Sequence, residues 1–70
     1  MSSVARVTEL SVVSETSFQD AIEQGIARAN KTLRGVKGAW IKEQSVNVSD
    51  GKITGYKVDM LVTFVLEDTV

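Results

Sequence analysis

The chain lacks the side chains that most often hold a transition metal or form a nucleophile and base pair. Among its 70 residues there is no cysteine and no histidine, so disulfides and thiolate or imidazole zinc sites are excluded. No serine stands in the G-x-S-x-G context of many hydrolases. A bound metal would have to be a hard cation held by carboxylates and carbonyls. We therefore predict that the protein is not an enzyme.

An excess of charge of one sign is also missing. Eight basic and nine acidic residues give a formal charge of -1, and they are interspersed, which argues against the basic stripe of a nucleic-acid-binding protein. Arg6, Thr8 and Glu9 interrupt the apolar positions near the N-terminus, so the apolar core of a signal peptide is absent. No run reaches membrane-spanning length. We expect a cytoplasmic protein that binds neither nucleic acid nor membrane.

The length favours a single domain over residues 1–70. The core of so small a domain usually needs additional stabilisation by disulfides, a metal ion or association with other chains. With disulfides and zinc excluded, association with other copies remains. The last strand supports this, because Leu61 and Val65 place apolar groups on one side of it. Its other side is apolar throughout, with Tyr56, Val58, Met60, Val62, Phe64 and Leu66. One helix cannot cover both sides, so any functional site is expected between subunits.

Hydrophobic periodicity predicts the order strand, helix, strand, strand, which is an α+β (β-α-β-β) fold. The helix begins at Phe18 and should end at Gly35. At its start, Ser17 and Asp20 have the spacing of a capping box. Gly25 lies on its apolar face, where glycine costs about 1 kcal/mol relative to alanine. Close approach of the helix to the sheet explains this choice. The predicted strands are residues 4–13, 36–48 and 52–65.

Asp50 and Gly51 form the favoured signal for a two-residue hairpin loop between the last two strands. Counting outward from this loop fixes the pairing of the two strands. The predicted pairs are Ser49 with Lys52, Gln44 with Lys57, Lys42 with Asp59, Ile41 with Met60, Trp40 with Leu61, and Gly38 with Thr63. This register predicts an ion pair between Lys42 and Asp59. It also places Gly38, Trp40, Gln44 and Lys57 on the face away from the helix.

Trp40 is the candidate functional residue, and two interpretations of it stay open. Aromatic residues are enriched in subunit interfaces, so the indole ring could fill a contact between copies. Alternatively it is a stacking surface for a planar ligand, with Lys57 and Gln44 as hydrogen-bond donors on the same face. The two interpretations are compatible if the ligand lies at the interface.

Three segments carry a resemblance to a known family. They are AIEQGIARANKTLR at 21–34, AWIKEQ at 39–44 and VTFVLED at 62–68. The chain resembles the dodecins from about Val4 to Asp68, because these segments occur in the same order and at similar spacings. The predicted order of strand, helix, strand, strand is also similar. The resemblance implies a three-stranded antiparallel sheet that partly wraps the helix, and a hollow homododecamer with cubic symmetry.

For flavin-binding dodecins, the resemblance also implies flavins stacked between tryptophans across two-fold axes, for storage or quenching of flavin without turnover. Gly38 and Lys57 stand where those members carry a Trp and a Gln, and Trp40 lies two residues further along the same face. We therefore expect storage or sequestration of FMN or riboflavin at an altered or weakened site of Gly38, Trp40, Gln44 and Lys57. The alternative is a structural shell without organic ligand, with ions at its symmetry axes. Glu67 and Asp68 are adjacent carboxylates in the sequence, of the kind that hard cations prefer as ligands.

The assembly can be tested directly. In dilute neutral buffer, light scattering should give a mass about twelve times that of one chain, as the resemblance implies. Identical subunits close most readily into such point-group assemblies. The denaturation midpoint should rise with protein concentration, because association stabilises the folded state. A stable folded monomer at micromolar concentration would contradict the need for partner copies. A trimer or hexamer would contradict only the dodecamer.

Overall fold

The computed structural model describes residues 4–66 and contains one helix and three strands in the predicted order. They are β1 (Ala5–Ser14), α1 (Phe18–Thr32), β2 (Val36–Ser49) and β3 (Lys52–Val65). The sheet is antiparallel with the order β1-β3-β2, so β3 is its central strand. The predicted β-α-β-β fold is confirmed. Within the described residues, no helix is long and apolar enough to cross a membrane.

The core lies between α1 and the face of the sheet that we call the inner face. From β3 this face carries the buried residues Val58, Met60, Val62 and Phe64, as the alternation predicted. From α1 it meets small residues one turn apart, Ala21, Gly25 and Ala29, which are all buried. Small side chains let the helix approach the sheet closely. Full burial of each large apolar side chain contributes on the order of 1.5–3 kcal/mol.

Gly25 lies where α1 approaches the sheet closely. A Cβ atom at this position would lie 2.8 Å from Cε of Met60 and 3.0 Å from Cγ2 of Val12. The methionine end is flexible, but the β-branched valine is stiff at its first side-chain torsion. The interpretation of Gly25 as a close-contact residue is confirmed.

A capping box at the start of α1 would contain two hydrogen bonds between Ser17 and Asp20, and the structure contains one of them. The Asp20 N–H donates to the Ser17 hydroxyl at 2.9 Å. The Asp20 carboxylate does not complete a capping box by reaching back to Ser17; it accepts instead from the hydroxyl of buried Ser14 at 2.6 Å. The same Ser14 hydroxyl accepts from the Thr16 N–H at 2.9 Å. Asp is shorter than the Glu or Gln of a full capping box, which accounts for the change of partner.

The end of α1 comes earlier than predicted. The helix ends at Thr32, and Leu33 is extended while its N–H still donates to the Ala29 carbonyl at 2.8 Å. Leu33 packs against the core from this extended position, which accounts for the earlier end. Gly35 does adopt the left-handed conformation, with φ of 74°, but in the connection to β2.

The hairpin loop is confirmed at Asp50 and Gly51, whose φ angles are 52° and 74°. Positive values at both central residues are typical of the tight turns that fit a twisted hairpin. Four predicted pairs are also confirmed: Ser49–Lys52, Ile41–Met60, Trp40–Leu61 and Gly38–Thr63.

The two predicted pairs in the middle of the hairpin are wrong. Gln44 opposes Val58, and Asp59 opposes Glu43. The register shifts by one residue between Asn47 and Val48, where β3 contains an extra residue, and shifts back between Ile41 and Glu43, where β2 contains the extra Lys42. Such β-bulges leave one residue unpaired and displace every pair between them. The two shifts cancel, so the predicted pairs of Ile41, Trp40 and Gly38 are correct again. A third shift follows between Gly38 and Val36.

Substitution of Gly25 by Ala tests the close contact. We expect Gly25→Ala to destabilise the protein by about 1–3 kcal/mol through overpacking, despite a gain of up to about 1 kcal/mol in helix propensity. The melting temperature at fixed protein concentration measures this. In a Val12→Ala background the same substitution should cost less, because one of the two close contacts is removed. A higher melting temperature for Gly25→Ala alone would show that the helix has room to move away.

Candidate functional site

The candidate site lies on the outer face of the sheet, the side opposite to α1. Residues that oppose one another across the three strands form rows on this face. From one end of the sheet to the other, in the order β1, β3, β2, the rows are Val7–Thr63–Gly38, Glu9–Leu61–Trp40, Ser11–Asp59–Glu43 and Val13–Lys57–Ser45. No element within residues 4–66 packs over them, since the only helix there contacts the inner face.

Trp40 lies on this face with 71% of its surface exposed, so its predicted place outside the core of a single chain is confirmed. Its neighbour in the row, Leu61, is half-buried. Gly38 lies two residues away on the same face, and a Cβ atom there would meet nothing within 4 Å. The indole ring therefore stands beside an open notch in the side-chain layer.

Lys57 is on the outer face but far from Trp40. It is half-buried and opposes Ser45, four residues along β3 from Leu61. Four residues span about 13 Å of strand. A single chain does not bring Trp40 and Lys57 together, and a common ligand would have to lie where two chains meet.

Gln44 lies on the inner face, which corrects its predicted position beside Trp40. It opposes Val58, whose side chain is fully buried under the helix. The extra residue at Lys42 causes the change of face. Gln44 therefore cannot donate to a ring stacked on Trp40 of the same chain.

An ion pair that sequence reasoning missed lies at the other end of the row that contains Trp40. The Nζ atom of Lys42 is 3.2 Å from Oε2 of Glu9, with 52% and 51% of the two side chains exposed. Lys42 was predicted to pair with Asp59, but the bulge moves it, and its side chain crosses β3 to reach β1. The partners are 33 residues apart, so no local pattern indicates the pair.

Two depressions elsewhere on the surface contain none of the four predicted site residues. One, of about 290 Å³, is lined by Arg34, Gly35, Phe64, Val65 and Leu66. Another, of about 310 Å³, lies between β1 and α1 and is lined by Leu10, Ser11, Val12, Gln24, Gly25 and Arg28.

Residues 4–66 contain no cluster of three or more acidic side chains that could hold a metal ion. The suggested carboxylates Glu67 and Asp68 lie outside the described residues.

Two glycines of the sheet provide a matched test of the notch. Gly38→Ala should stabilise the protein by about 0.4–1 kcal/mol, because alanine restricts the unfolded chain and its methyl group has room. Gly55→Ala should destabilise it, because the new Cβ would lie 3.0 Å from Cγ1 of Val13 and 3.1 Å from Nδ2 of Asn47. Melting temperatures at equal protein concentration measure both effects. A loss of stability for Gly38→Ala would mean that another chain fills the notch.

Comparison with known proteins supplies the family. The family model described as Dodecin matches residues 4–67. The chain is 35% identical over 69 residues to a dodecin of Thermus thermophilus, covering 99% of this chain and all of that protein. The crystal structure of the tt0972 protein from Thermus thermophilus matches with a TM-score of 0.90 and 34% identity, over 97% of this chain and all of that one.

A more distant relative is named for calcium binding. It is a calcium-chelating immunodominant antigen of Mycobacterium tuberculosis, called calcium dodecin, with a novel calcium-binding site. It matches with a TM-score of 0.79 and 26% identity, over 96% of each chain. Given the model match over almost the whole chain and the similar sequences and structures, the protein belongs to the dodecin family.

Proposed function

We propose that the protein is a non-enzymatic flavin-binding protein that stores or sequesters FMN or riboflavin and acts as a homododecamer. The observation that carries this proposal is the exposed indole ring of Trp40 on the outer face, beside the open position of Gly38. A planar aromatic ligand can stack on such a ring. The composition contains neither cysteine nor histidine, which favours binding over turnover.

The shape of a single chain supports assembly. Its radius of gyration is 14.6 Å, whereas a compact domain of this length has about 11 Å. The radius is larger because the hairpin of β2 and β3 extends past the helix. In this part of the hairpin, 59% of the surface of Val48 and 53% of that of Ile53 is exposed. On the outer face Val7 and Val13 are also more than half exposed. Contacts with other copies would bury these apolar groups.

The proposed site uses groups from more than one chain. Trp40 supplies the stacking surface, and an aromatic pair of this kind contributes about 0.5–1.5 kcal/mol beyond its buried area. Gly38 leaves space for the ring system next to the indole. Lys57, about 13 Å along the strand, would contribute from a neighbouring subunit. Because glycine offers no stacking surface, we expect the affinity for flavin to be weak.

A fluorescence titration tests the proposal. Riboflavin or FMN added to the assembled protein should quench both the flavin emission and the emission of Trp40, the only tryptophan. The double variant Gly38→Trp with Lys57→Gln should bind at least tenfold more tightly, about 1.4 kcal/mol, which is within reach of one additional aromatic contact. Quenching in the variant but not in the parent would favour a shell without flavin. No binding in either, with assembly intact, would contradict the placement of the site.

A second candidate function is a shell that binds hard cations. It is favoured by the relative described as calcium dodecin and by Glu43, which opposes Asp59 on the outer face. Two carboxylates in directly opposite positions repel each other unless a cation lies between them. Calorimetric titration with calcium should then show binding that is lost in Glu43→Gln. The purified protein would be colourless.

A further inference from the structure

We propose that the Glu9–Lys42 ion pair binds the polar edge of the planar ligand that stacks on Trp40. This inference rests on the proposed function and deepens it, because it names the chemistry that the site would recognise. The ligand class is a fused heteroaromatic ring with an imide edge, in which an N–H group lies between two carbonyl groups. The isoalloxazine ring of a flavin has such an edge.

The position of the ion pair relative to Trp40 is the first argument. Trp40, Leu61 and Glu9 oppose one another in a single row of the outer face. Adjacent strands are about 4.8 Å apart, so the row extends about 10 Å from Trp40 to Glu9. Lys42 reaches the far end of this row, since its Nζ atom is 3.2 Å from the Glu9 carboxylate. A flat ring system about 10 Å long that contacts the indole and lies over Leu61 would therefore end at the ion pair.

The chemistry of the two side chains is the second argument. A carboxylate only accepts hydrogen bonds and an ammonium group only donates them, so the pair presents both functions side by side. The ring N–H can donate to Glu9, and an adjacent ring carbonyl can accept from Lys42. Hydrogen bonds that involve an ionised partner are stronger than neutral ones. Both side chains are about half exposed, so a ligand can reach them.

The other polar groups of the outer face fit this role less well. Glu43 and Asp59 are both acceptors and oppose each other one row further on. Lys57 of the same chain lies about 13 Å along β3 from the row of Trp40, so it would reach the ring only from a neighbouring subunit. Gln44, which could both donate and accept, is on the inner face opposite Val58. Glu9 and Lys42 form a charged acceptor and donor pair at the end of the row that contains Trp40.

The experiment compares two variants of the ion pair with the parent. Riboflavin is titrated into the assembled parent, Glu9→Gln and Lys42→Met, and the quenching of flavin emission gives the dissociation constant. We expect at least tenfold weaker binding in each variant. Glu15→Gln and Lys31→Met remove one exposed charge of the same kind in the β1–α1 connection and on α1, and both should bind as the parent does. Light scattering checks the assembly of every variant.

A modified ligand tests the same contact without any substitution. Riboflavin methylated at the imide nitrogen cannot donate to Glu9, so it should bind the parent at least tenfold more weakly than riboflavin does. The same methylation should change binding to Glu9→Gln much less. This second arm keeps the test decisive even if a variant fails to assemble.

The outcomes separate this inference from the proposed function. Equal riboflavin affinity in the parent, Glu9→Gln and Lys42→Met, together with no effect of methylation, would overturn the role of the ion pair and leave flavin binding in place. Absence of riboflavin quenching in the parent would overturn both.

Discussion

A mismatch in length between the helix and the strands governs the structure. The 15 residues of α1 extend about 22 Å, whereas the 14 residues of β3 extend about 46 Å. The helix therefore covers only part of the inner face and none of the outer face. Where it does cover the sheet, Gly25 allows contact close enough to bury Val58, Met60 and Val62 completely. Beyond the helix, no element among residues 4–66 covers the apolar residues of the hairpin.

The uncovered surfaces are where partner chains and a ligand would bind. Members of the family are small binding proteins, and this chain carries its single tryptophan on the outer face. The row of Trp40, Leu61 and Glu9 combines an aromatic surface, an apolar floor and a charged end. Recognition of a flat ligand needs these components close together. Such a site would depend on assembly, because nothing within residues 4–66 covers the outer face of a lone chain.

Local patterns predicted those features that depend on nearby residues. The alternation of β3 identified its buried side, and Asp50 with Gly51 identified the hairpin loop, because positive φ angles restrict the choice of residues there. The end of α1 was predicted at Gly35, three residues beyond its observed end at Thr32. Leu33 has good helix propensity, but its contact with the core holds it in an extended conformation. Tertiary packing prevailed over the local signal.

The middle of the hairpin and the ion pair could not be predicted in this way. Lys42, Glu43 and Gln44 are all polar, so a bulge among them leaves no break in the hydrophobic pattern. The position of Trp40 was nevertheless correct, because the shift at Lys42 cancels the earlier one near Asn47. The contact of Lys42 with Glu9 depends on β1 pairing with β3, which brings together residues distant in sequence.

The fluorescence of Trp40 tests most directly whether the outer face is completed by other chains. In a folded single chain 71% of this residue is exposed, and unfolding on dissociation would expose it further. Dissociated protein should therefore emit at long wavelength and be quenched efficiently by acrylamide. In the assembled protein without ligand, the emission should shift to shorter wavelength and the acrylamide quenching constant should fall severalfold. Equal emission and equal quenching in the assembled and dissociated states would contradict the account, because the outer face would then remain open to solvent after assembly.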